Sequence, residues 1–115
     1  MELGCMPWND PGAPGEGILR ACFEDEGFGV HAWRDPADRI YSEHSHDCDE
    51  SLWVVRGQIV FEVSGREFPL GPGDRLLLPA GVAHRARAGP DGARYLIGRA
   101  SSAIQSSIDR PTRHS

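Results

Sequence analysis

The sequence predicts an all-β domain, an antiparallel sandwich or barrel, with one short helix ahead of it. Turn-forming residues recur every several positions after residue 34, and the runs between them are short, apolar and rich in β-branched residues. Only one well-bounded segment, near the N-terminus, spaces its apolar residues as a helix does.

The elements follow in order. Residues 1–15 are rich in Pro, Gly and Asn and read as an irregular arm. In EGILRACFEDEG, Ile18, Leu19, Cys22 and Phe23 fall at helical spacing, and Gly27 suits the stop. FGVHAW alternates, with Phe28, Val30 and Ala32 on one face and His31 and Trp33 on the other. DPAD is a turn. SLWVV is a strand that Gly57 breaks, and IVFEV follows. The tight turn SG leads into REFPL, and LGPGD turns again, because glycine accepts positive φ and proline fixes its own. RLLLP is a short strand closed by PAG. HRARA alternates charged and small residues, GPDG turns once more, and ARYLIG is the last strand. The barrel domain spans residues 16–99. Residues 100–115 are Ser- and Arg-rich and read as a loose tail with Ile104 and Ile108 at helical spacing. No internal repeat is present.

A chain of 115 residues suits one domain. Its formal net charge of −5 and scattered arginines argue against nucleic acid, which needs a dense cationic surface. No apolar run approaches the roughly 18 residues that span a bilayer, so no membrane partner is expected. The opening MELGCMPWND has no basic region followed by an apolar one, which makes a cytoplasmic address the expectation. Three cysteines, Cys5, Cys22 and Cys48, with no C-x-x-C pair, argue against a disulfide framework or a thiolate zinc site.

Chemistry is concentrated in EHSHDCDESLWVVRG, residues 43–57. Residues two apart in a strand share a face, so His44 and His46 point the same way, and Glu50 keeps their parity. In GDRLLLPAGVAH, residues 73–84, two turns fold the chain back and bring His84 beside the first pair. Three imidazoles and a carboxylate suit divalent Fe, Mn, Co, Ni or Zn. His31 and His114 stand outside both stretches and read as a strand-face residue and a tail residue. Asp47 and Asp49 read as solvated loop carboxylates, and Cys48 as an ordinary small residue.

The first stretch fits H-x-H-x3-E-x6-G as His44, His46, Glu50 and Gly57; the second fits G-x5-P-x-G-x2-H as Gly73, Pro79, Gly81 and His84. In this the chain resembles the cupin superfamily, and the short spacer between motifs resembles small bacterial single-domain cupins. The resemblance covers residues 28–99. It departs where the family often has Gly, here Asp38, and Asn, here Ala88. It implies a cupin-type β-barrel (a jelly roll), with His44, His46, Glu50 and His84 as metal ligands. It also implies a small-molecule substrate or ligand and a homodimer, which exposed strand edges favour as well. Dioxygenase, isomerase or lyase chemistry on a small oxygenated metabolite is then expected; a non-catalytic cupin that senses or sequesters a small molecule is the alternative. Parity makes Leu52, Val54, Ile59, Phe61 and Val63 an apolar inner wall. Trp33, Tyr41, Trp53, Arg75 and Tyr95 are candidates for specificity, although the outward parity of Trp53 equally suits a subunit interface. No catalytic base stands out.

Overall fold

A computed structural model describes residues 1–12 and 14–100 of the chain. The elements are β1 (Gly4–Met6), α1 (Glu16–Asp25), β2 (Phe28–Asp35), β3 (Ile40–His44), β4 (Glu50–Val63), β5 (Arg66–Leu70), β6 (Arg75–Leu78) and β7 (His84–Ala100). Every strand pairing is antiparallel.

The long strands β4 and β7 pair along most of their length and form the spine. On the first half of β4 lies β6, and on its second half lies β5. Strand β7 carries β3 beside its first half and β2 beside its second, and β1 extends the sheet outside β6. The β4–β7 register slips between Val54 and Ile59, where Gly57 has φ +77°. A Cβ at Gly57 would stand 2.2 Å from the Gly92 carbonyl oxygen, so no larger residue fits there. The spine is bulged at this point, and its two halves share one core. Leu52 and Val54 from one half pack with Ile59, Phe61 and Val63 from the other, joined by Phe68, Leu70, Leu76 and Leu78. This is the antiparallel β-barrel that the sequence predicts, including the inner wall assigned by parity.

Two expectations change. Gly57 and the GPDG run do not end strands; β4 and β7 run on past them, and the β4–β7 pairing shifts register there, from Gly57 opposite Ala93 to Ile59 opposite Ala88. The arm is not wholly irregular, since Gly4–Met6 adds a strand to β6. The expected tail, His114 included, lies outside the described residues beyond Ala100, which closes β7.

Helix α1 covers the outer face of the sheet. Leu19 and Phe23, one turn apart, are its buried residues, and they pack with Val55 and Leu96. Phe23 meets Phe28 and Trp53 edge-on at 5.5 and 5.2 Å. Gly98 leaves the space: a Cβ there would lie 2.9 Å from the Phe23 ring. Trp53 does point outward, but it is covered by the chain's own helix and donates Nε1–H to the Gly73 carbonyl at 2.9 Å. Its packing contacts are therefore within its own chain.

Candidate metal centre

The β3–β7 ladder sets His44 directly opposite His84. His46 follows in the loop after β3, and two hydrogen bonds tie that loop to the PAG turn. Gly81 N–H donates to the His46 carbonyl at 2.8 Å, and Ala80 N–H donates to Asp49 Oδ1 at 2.8 Å. Asp49, a partly exposed loop carboxylate, is therefore also a brace between the two motifs. The ring centroids lie 4.5 Å apart for His44–His84, 4.9 Å for His44–His46 and 5.3 Å for His46–His84. One ligand-capable atom from each of the three residues falls within 4.8 Å of the others.

Tautomers follow from the backbone. His44 Nδ1 is 2.7 Å from the Ser42 carbonyl oxygen, and His84 Nδ1 is 3.0 Å from that of Val82. A carbonyl only accepts, so each Nδ1 carries the proton and each neutral ring presents a bare Nε2, the form a metal requires. Burial pushes the His84 pKa below its ordinary value, and neighbouring His44 and His46 push the same way.

Glu50 is almost fully buried beside the triad. Its Oε1 is 3.6 Å from His46 Nε2, while Oε2 accepts a 2.5 Å hydrogen bond from Arg99 Nε. The structure thus gathers His44, His46 and His84 into one cluster and sets Glu50 against Arg99 at its side.

The triad opens on a cavity of about 450 Å³. Leu52, Phe61, Ala86 and Ile97 give it apolar walls, and His31, Trp33, Tyr41, Tyr95 and Arg99 supply its polar atoms. Buried Asp35 accepts from Trp33 Nε1 at 3.0 Å, from Tyr95 Oη at 2.7 Å and from Tyr41 Oη. Burial and then the Asp35 carboxylate raise both phenol pKa values, so Tyr41 and Tyr95 are fixed as neutral donors. Trp33, Tyr41 and Tyr95 thus line the cavity as candidates for specificity. Arg75 does not: it lies on the outer face. Arg99, His31 and Asp35 were missed. Arg99 continues the inward parity of Tyr95 and Ile97, and His31 shares the parity of Trp33, so strand alternation carried a signal for both. For Asp35 the Asp-Pro pair signals only a turn.

Fold and histidine triad together support a metal-binding barrel. The chain belongs to the cupin family: the Cupin domain matches residues 34–97, more than half of the chain. Among curated proteins it is 31% identical over 61 residues to acireductone dioxygenase of Candida albicans, a match covering 49% of this chain and 34% of the enzyme. It is 36% identical over 62 residues to acireductone dioxygenase 1 of Coprinopsis cinerea, covering 47% and 34%. The chain spans about a third of the length of these relatives. Among solved structures it resembles protein NMB1881 from Neisseria meningitidis, with TM-score 0.57 and 26% identity over 65% of this chain and 75% of that one. It also resembles the DMSP lyase DddQ from Ruegeria pomeroyi, with TM-score 0.61 and 25% identity over 66% of this chain and 39% of the lyase.

Proposed function

We propose that this chain is a metal-dependent cupin in which His44, His46, His84 and Glu50 hold a divalent Fe, Mn, Co, Ni or Zn ion. It acts on a small oxygenated organic molecule by dioxygenase, isomerase or lyase chemistry. The observation that carries this reading is the convergence of three imidazoles, two with Nδ1 committed to carbonyls, at a cavity of small-metabolite size. Glu50 fits the set, because Arg99 engages only Oε2 and Oε1 stays on the histidine side. The matches to acireductone dioxygenases and to a lyase support the reaction classes. When bound, the ion would supply Lewis-acid polarisation of a substrate oxygen and, if redox-active, access to dioxygen. The chain's own residues supply the rest: apolar walls exclude water, and the Asp35 network holds Tyr41 and Trp33 in fixed positions.

A binding cupin without turnover is the second reading. Both phenols are held protonated toward Asp35, which leaves His31 as the one imidazole of the described wall outside the ligand set. A homodimer belongs to either reading. Strand β2 pairs only with β7 among the described residues, and Trp33 and Ile40 are exposed nearby; light scattering at the monomer mass would remove the dimer. No helix among the described residues is long and apolar enough to cross a membrane, and a cytoplasmic place is kept as part of the proposal.

Elemental analysis of tag-free protein beside a His44→Ala/His84→Ala variant tests the metal. Near-stoichiometric transition metal in the parent and none in the variant is the expected result. Absence from both, even after reconstitution, would leave a metal-free barrel and end the enzyme reading. Turnover of the loaded protein on small oxygenated acids then separates catalysis from binding.

A further inference from the structure

We infer that Arg99 is the anion anchor of this cavity, and that the molecule bound beside the triad carries a carboxylate. The inference deepens the metal-cupin reading and rests on it for the identity of the neighbouring site.

Arg99 lines the cavity and brings its one guanidinium. Its Nε donates to Glu50 Oε2, and among the described residues its terminal nitrogens Nη1 and Nη2 have no hydrogen-bond partner. Two other arginines of the same sheet differ, and of the sheet's arginines only Arg99 lines the cavity. Arg75 spends Nε on Ser51 and both terminal nitrogens on Glu26, and Arg94 spends Nε and Nη2 on Glu16. Arg99 is thus aimed by one bond and keeps the two-pronged end that pairs with a carboxylate.

Strand register supplies the room. Arg99 stands between Glu50 on β4 and Gly29 on β2. Glycine puts nothing over that flank; an added Cβ would meet only the Arg99 carbonyl oxygen, at 3.9 Å. The next inward residues on either side, Leu52 and Ile97, are apolar, so the wall beside Arg99 offers no competing polar partner. A single guanidinium already half-balanced by Glu50 matches one carboxylate, not a phosphate dianion. Through Glu50, which touches Arg99 with one oxygen and faces His46 with the other, the anion is placed next to the triad.

The test is calorimetric titration of chelator-treated protein with pyruvate, glycolate and benzoate, each beside its neutral amide. Parent protein should prefer at least one carboxylate to its amide by about tenfold or more, the scale of a charged hydrogen bond. Arg99→Gln should abolish that preference. Gly29→Leu, which retains Arg99 and Glu50 and fills the open flank, should weaken carboxylate binding as well and stands in if Arg99→Gln fails to fold. No preference in the parent, or an undiminished preference in either variant, overturns the inference. Metal content of the same proteins, measured before chelation and again after reconstitution, keeps the two readings apart. Arg99-dependent selectivity without metal loading would sink only the metal reading; metal loading with selectivity indifferent to Arg99 would sink only the anchor.

Discussion

Arg75 and Arg99 sit on opposite faces of the same sheet, each across a ladder from β4. Arg75 is buried under α1, with every guanidinium nitrogen bonded and its carbon 4.8 Å from the Phe23 ring centre and 4.6 Å from that of Trp53. Arg99 faces the cavity, half exposed, and makes one hydrogen bond among the described residues. A fully satisfied cation between aromatic rings holds a helix on a sheet. A cation with two nitrogens to spare is available to something else. The same contrast separates the two faces: the outer face is filled by Phe23, Leu19, Val55 and Leu96, whereas the inner face stops short of the triad and leaves a cavity.

If the faces are as independent as this contrast implies, damage to one should spare the other. The largest effect belongs to Phe23, which is wholly buried. Phe23→Ala should cost about 3–5 kcal/mol of stability by denaturant unfolding, while metal taken up per folded molecule stays at the parent level. Loss of metal along with stability would show the faces to be coupled.

A cavity-side change should behave in reverse. His46→Ala should leave the metal-free midpoint within about 1 kcal/mol of the parent, since His46 is only partly buried. Metal should no longer stabilise that variant, whereas in the parent it should add roughly 2.7 kcal/mol at a hundredfold excess over Kd. Equal thermal shifts in both proteins would remove His46 from the ligand set.

Arg75→Met sharpens the comparison. It strands the buried Ser51 hydroxyl and frees the half-exposed Glu26, so a loss of about 1–3 kcal/mol is expected, with anion binding unchanged. An effect of Arg75→Met on carboxylate affinity would mean that the outer cation reaches the cavity through the sheet.

These two arginines also mark where the sequence was legible. The triad could be read because its residue types stand in two short linked motifs, although strand parity is not what sets His46: β3 ends at His44 and His46 lies in the loop after it. Glu50 opens β4 on the far side of that loop, and its bond to Arg99 joins residues 49 positions apart and depends on ladder register. Arg75 was weighed for specificity because its parity could not be fixed from four residues of strand between two turns. The long strands were missed because a glycine that permits a bulge looks in sequence like one that permits a turn. The three donors on Asp35 come from β2, β3 and β7, a convergence that no local pattern encodes.

The smallest expected effect is the dependence of the metal-free protein on pH, and its sign follows from His84. Burial first, then His44 and His46, disfavour the charged ring in the folded state. The folded pKa is below the unfolded value of about 6.5, so the stability tied to the neutral ring is complete above pH ~6.5. As pH falls from there toward the folded pKa, the unfolded chain takes up the proton first and stability declines. Glu16 and Glu26, held low by Arg94 and Arg75, contribute in the same direction, but only as pH falls below their ordinary value of 4.5. The interval from pH 7 down to 5 therefore separates the ring from these carboxylates. Melting midpoints of chelator-treated parent should fall across it, and His84→Gln, which keeps a polar side chain but cannot titrate there, should fall less. Parallel curves would mean that the buried ring pays nothing for its charge and that the cavity floor is wetter than its burial indicates.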